Sequence, residues 1–453
     1  MVDRAVIFQP VNGREMTADD VAFSIERGFL SDLPFSMKSH TRPGENIQSV
    51  EAADRYTVVV KGPPEHTYRR LTPLIVHMHV WPPEAGGPPP GDYRDWRDCI
   101  GTGPFMIVDE VPSSSMTFAR NPNYWMNDPV HPENTLPYLD GINILVIPDA
   151  STRLAALRTG KIDFLQGVSW EDKDSLVKTS PELKWVGGLS EAEVIGMRID
   201  KPELPFDDIR VRRALAMGLD RQAIAEDFYC GNAEVFAFLV VPIPALKDMF
   251  TPLDELAESI QELYEYNPEK ARQLLAEAGY PNGFQTEIVC TQNHVDLLSI
   301  IKAYWADIGV DLKLDVKEDS LYFSIFAAHK HTQMFFGEYA RVHIEEFGLF
   351  TITTPPDTSM VDDPYLNDIY TFKLVKDVWD WDTLCQVIKE EVNPYALEQC
   401  WYIDPPLPMR YTFWQLWLKG YHGEQVLGAH GNAGAWLAYV WLDQELKKEM
   451  TGH

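Results

Sequence analysis

The stretch NILVIPDASTRLAALRTGKIDFLQ, residues 143–166, constrains the fold more than any other. NILVIPD is a continuous apolar run of strand length. STRLAALRTG then places Leu154 and Leu157 on one side of a short helix, and Gly160 closes it. KIDFLQG reads as a further strand. Strand, helix, strand in immediate succession predicts a βαβ unit and an α/β architecture.

The rest of the chain repeats this grammar. MTADDVAFSIERGFL (16–30) opens with Thr17 and Asp20 in a capping-box pattern, and Val21, Ile25 and Phe29 share a face. RYTVVV (55–60) predicts a strand, and WPPEAGGPPPGD (81–92) a loop. FMIVDE and SMTFAR predict two strands joined by VPSSS. Asp208 and Asp220 are expected to cap successive helices. In NPEKARQLLAEAGYPNGF, Asn267 is the predicted N-cap, Pro268 takes the first helical position and Gly279 follows the end. TEIVCTQ, a helix near 294–308, and VDLKLDV follow as strand, helix, strand.

Composition narrows the function classes. The 453 residues carry a formal net charge of −29, which repels nucleic-acid backbones. Five cysteines include no CxxC pair, and no apolar run approaches a membrane span. No GxSxG, HExxH or P-loop pattern occurs, and GTGPF lacks the third glycine of a dinucleotide fingerprint. Two HxH pairs, His77/His79 and His329/His331, could each offer two imidazoles to a metal, but a strand pair and a polar loop explain them as well. No cofactor is expected. Trp401, Tyr402, Tyr411, Phe413, Trp414, Trp417 and Tyr421 crowd residues 400–424, as core strands or as cleft walls. FFGEYARVHIEEF (335–347) starts as a buried strand and ends in charge, a costly combination unless the charges are paired or bind something.

Five ordered blocks resemble the extracellular solute-binding proteins of family 5, the oligopeptide, dipeptide and nickel group of ABC importers. They are NGREMTADDVAFSIER, GTGPFMIVDEVPSSSMTFARNPNYW, LPYLDGINILVIPDASTRLAALRTGKIDF, FDDIRVRRALAMGLDRQAI and YNPEKARQLLAEAGYPNGF. The resemblance implies a two-lobed α/β periplasmic-binding-protein-like fold of type II, with an extra subdomain in lobe one and a hinge between lobes. Lobe one is expected over 1–192, its extra subdomain over about 1–98, lobe two over 193–425, and a return segment over 426–453. The implied function is non-catalytic capture of a peptide or other small polar organic solute between the lobes, and delivery to ABC permease subunits. A monomer in the periplasm, or outside the cell at the membrane, is expected. Relatives carry an export signal and the first strands of lobe one ahead of the NGRE-like block, and the sequence read here starts without them. A hydrolase using cleft carboxylates and histidines, or a non-binding scaffold, are the competing readings.

Peptide-binding relatives carry a GWxaDYxdP-like segment whose Asp receives the ligand's ammonium. GEYARVHIEE aligns with it, and Arg341 takes the Asp position. Arg favours carboxylate or phosphate. Tyr339, Arg341 and His343 are therefore the expected lobe-two contacts. Trp401 and Trp417 are candidate apolar walls, and His79 and Trp81 candidate contacts from lobe one.

Overall fold

The computed structural model describes residues 13–30, 47–62, 79–85, 95–189, 193–237, 239–242, 246–338, 358–369, 380–424 and 435–452. The chain divides into two compact units. The first comprises residues up to Lys38, Arg42–Gly188 and Arg410–His453; the second comprises Leu189–Met409 with residues 39–41. The chain re-enters the first unit at Arg410, inside the strand Leu407–Trp414, earlier than the return expected near 426.

In the first unit, helix Ala18–Ile25 begins at Thr17, with Thr17 and Asp20 forming the expected capping box. Ala22 and Ile25 pack with Ile47 and Val50 against the antiparallel pair Ser49–Asp54 and Thr57–Lys61. Asp20, 1% exposed, receives the Arg14 guanidinium, whose Nε also donates to Glu84 at 2.6 Å. Burial alone would raise the Asp20 carboxyl, but the hydrogen bonds from Arg14 and the Thr17 N–H outweigh it and hold it below the usual carboxylate range.

Phe105–Val111, Ser115–Arg120 and Gly141–Leu145 form an antiparallel sheet in that order. Here the βαβ expectation is corrected. Helix Ala150–Arg158 forms, capped by Asp149 and burying Leu154 and Leu157. Its flanking strands, however, belong to different sheets. Gly141–Leu145 pairs with Ser115–Arg120, while Phe164–Val168 pairs antiparallel with Leu407–Trp414. The apolar run is not buried: Ile144, Leu145 and Val146 are each about half exposed. Apolar composition alone does not force a strand into a core.

The parallel unit lies in the second unit. Its five-stranded sheet runs Val310–Val316, Phe284–Cys290, Met334–Glu338, Glu193–Met197, Tyr402–Ile403. The first three are mutually parallel; Glu193–Met197 runs antiparallel to both neighbours. Met334, Phe335 and Phe336 are all fully buried in succession, as expected for a strand covered on both faces. Val310–Val316 instead starts with the alternation of an edge strand. Gly283 and Gly309, with φ of +73° and +87°, precede the two paired strands. A Cβ at Gly283 would lie 1.7 Å from the Gly309 carbonyl oxygen, so only glycine lets the strand starts align.

Helices flank this sheet with the expected caps. Asp208 accepts from Arg210 N, Asp220 from Ala223 N and Asn267 from Lys270 N. Trp305, fully buried, donates its indole N–H to Leu215 O at 2.9 Å and so ties helix Val295–Asp307 to helix Ile209–Met217. Burying a side chain of this size contributes about 2–3 kcal/mol. Among the described residues, no helix is long and apolar enough to cross a membrane.

Candidate functional site

The topology of the second unit marks one edge of its sheet. The chain leaves Phe284–Cys290, forms helix Val295–Asp307, and returns as Val310–Val316 on one side. It then forms helix Asp319–Ala327 and returns as Met334–Glu338 on the other side of Phe284–Cys290. The connections diverge between these two strands at their carboxyl ends. In open α/β sheets such a switch point leaves a crevice, and ligands bind there.

The side chains at this edge form a defined set. The turn Gln292–His294 follows Phe284–Cys290 directly, and the Thr291 N–H donates to His294 Nδ1 at 3.3 Å. His294 Nε2 lies 3.3 Å from Glu193 Oε1. Glu193 opens its strand opposite Glu338, the last residue of Met334–Glu338. The His294 ring packs edge-on against Phe336 and Tyr322, with centroids 5.0 and 6.0 Å away. The Tyr322 hydroxyl donates to Phe336 O at 2.8 Å. Gly337 permits this closeness, since a Cβ there would stand 2.5 Å from the Tyr322 oxygen. Val316, Leu321 and Phe323, all in or just after the strand Val310–Val316, expose apolar surface.

Tyr339, Arg341 and His343 lie outside the described residues, although Gly337 and Glu338 immediately before them end the strand at this edge. His79 is exposed. Trp81 is half-buried in the first unit beside Ala85 and Ile100, and its backbone N–H donates to Ser24 Oγ at 2.8 Å. Trp401, 5% exposed, belongs to the main core of the second unit and lines a cavity of about 20 Å³ with Arg221, Tyr264 and Asp404. Trp417, 2% exposed, donates its indole N–H to Asp163 in the first unit. The geometry assigns both rings to packing. Sequence reasoning missed Glu193 and His294. His294 carried a usable signal, a polar turn straight after a predicted strand; Glu193 sits in the acidic run SEAEV and carried none.

The histidine pair His329/His331 lies in a loop, as expected, but is not wholly exposed there. His329 ends a helix with φ of +50°, and His331 is buried with Nε2 2.8 Å from Thr358 O. Among the described residues, no group of three or more His, Cys, Asp or Glu could hold a metal ion.

Comparison with solved structures identifies the class. AgaA of A. tumefaciens R10, a PBP solved with agropinic acid, superimposes with a TM-score of 0.77 at 19% identity, covering 97% of this chain and 86% of its own. DppA of Helicobacter pylori, an ABC transporter-associated periplasmic binding protein solved with a peptide, gives 0.72 at 23%, covering 97% and 85%. The fold is thus that of the two-lobed α/β periplasmic binding proteins. Residues 11–375 match the model of the bacterial extracellular solute-binding proteins, family 5, and the chain belongs to that family. Heme-binding protein A of Haemophilus influenzae is 31% identical over 323 residues, 66% of this chain and 54% of that protein. The glutathione-binding protein GsiB of Salmonella choleraesuis is 29% identical over 319 residues, 69% and 56%. The chain therefore spans about half the length of the curated relatives it matches.

Proposed function

We propose that this chain is the solute-capturing part of the substrate-binding component of an ABC importer. It takes up a peptide or another small polar organic solute and passes it to permease subunits, without catalysing a reaction on it. It works as a monomer in the periplasm or at the outer side of the membrane. The observation that carries the reading is the family match over residues 11–375. The switch-point edge beside His294 supports it, because it offers polar groups and exposed apolar surface where such sheets bind ligands. Tyr339, Arg341 and His343, which follow the strand Met334–Glu338 in sequence, are proposed as contacts, with Arg341 receiving an anionic group of the solute.

The test is a calorimetric panel of short peptides, glutathione, heme, agropinic acid, organic acids and sugars. One class is expected to bind stoichiometrically and to be recovered unchanged. Arg341→Ala is expected to weaken solutes bearing a carboxylate about tenfold or more. Turnover of a probe, or no binding by any class, would contradict the reading.

A further inference from the structure

Building on the reading that the carboxyl edge of the second unit's sheet holds the solute, we infer that Glu193, oriented by His294, anchors a positively charged nitrogen of that solute. The position comes first. Glu193 begins its strand opposite Glu338, next to the switch point between Phe284–Cys290 and Met334–Glu338. It stands where the solute arrives, not deep in the core.

The contacts of His294 fix how the carboxylate is presented. Nδ1 accepts the Thr291 backbone N–H, which turns Nε2 towards Glu193 Oε1 at 3.3 Å. The ring meets the carboxylate at Oε1, and Oε2 keeps its accepting capacity. Packing against Phe336 and Tyr322 fixes the ring, so the carboxylate is presented in a set orientation.

Exposure and charge then select the partner. The Glu193 side chain is 25% exposed and His294 13%, dry enough to strengthen an ion pair and open enough to be reached. Elsewhere the fold pairs comparable carboxylates with arginine within the chain, as in Asp20 with Arg14 and Asp200 with Arg198. Among the described residues, Glu193 has His294 and no Lys or Arg. A half-buried carboxylate beside an imidazole at the switch-point edge is suited to an ammonium, which brings both charge and donors.

The experiment compares free-amine probes, namely tri-alanine and other short peptides and glutathione, with their N-acetylated forms and with nitrogen-free organic acids. In the native protein, acetylation is expected to weaken binding about 10- to 100-fold. Glu193→Gln keeps an acceptor for His294 but removes the charge, and it is expected to shrink that acetylation penalty to about 3-fold or less. Glu193→Asp, which restores the charge, should recover part of the penalty, and His294→Gln should lower it without abolishing the fold. An equal penalty in native protein and Glu193→Gln, or tight binding only of nitrogen-free acids, overturns the anchor while leaving solute capture intact. No binding by any probe overturns both.

Discussion

The Trp417 indole N–H donates to Asp163 Oδ1 at 2.6 Å, and Lys447 Nζ reaches the same oxygen at 2.8 Å. Asp163 also accepts Gln415 N at its carbonyl, so one residue joins the turn after helix Ala150–Arg158 to two carboxyl-terminal segments. Trp417→Phe retains a buried ring and loses the donor. It should destabilise the protein by about 1–2 kcal/mol in urea with an unchanged m-value, and leave solute affinity untouched. A loss of affinity at unchanged stability would make Trp417 a ligand wall instead.

Arg221, 2% exposed, spreads its guanidinium over the carbonyls of Asp404, Ala216 and Leu263 at 2.7, 3.0 and 3.1 Å. Tyr264 stacks on it at 4.7 Å and donates to Asp404 Oδ1. Removing the cation takes a donor from three carbonyls and the countercharge from the buried Asp404 carboxylate together. Arg221→Met should therefore cost about 3–5 kcal/mol by chemical denaturation. A cost under about 1 kcal/mol would mean the carbonyls find other partners.

His331 predicts an acid limb in the stability profile. Burial, the largest cause, pushes it from the ordinary 6.5 down to about 4, against the opposing hydrogen bond to Thr358 O. Between those values the unfolded chain binds the extra proton, so stability is complete above about 6.5 and falls as pH drops towards about 4. The loss is about 3 kcal/mol at most. His331→Gln should lower stability near pH 7 and flatten the decline towards about pH 4.5. An equal slope in both proteins would place the acid sensitivity elsewhere.

The cysteines should react in two groups. Cys290 and Cys400 are buried, and burial pushes each thiol up to about 11; Cys385 is buried and raised as well. Cys230 and Cys99 are exposed, and partial desolvation raises Cys99. A disulfide-exchange reagent at neutral pH should label Cys230 first, Cys99 more slowly, and the other three only after unfolding. Fast labelling of Cys400 would contradict the packing of the second unit.

Local rules carried far in this chain. The caps at Thr17, Asp208, Asp220 and Asn267 were legible because each satisfies orphaned helix N–H groups within three residues of itself. The strands were legible too, but not their partners. NILVIPD and KIDFLQG read as one parallel unit, yet they enter separate sheets, since pairing is decided by segments hundreds of residues away such as Leu407–Trp414. The aromatic run at 400–424 looked equally suited to core and cleft, and Trp401 and Trp417 went to the core. Glu193 and His294 come together only through the register Glu193↔Glu338 and the turn after Cys290, 101 residues apart in sequence and set by tertiary pairing.

Hydrogen exchange of the free and solute-saturated protein tests the central claim most directly, using the tightest binder from the calorimetric panel. Solute held at the switch point should slow exchange in segments spanning Val289–His294 and Met334–Glu338, with little change in the hairpin Phe105–Arg120. Protection confined to other segments, with these two unchanged, would contradict the placement of the site.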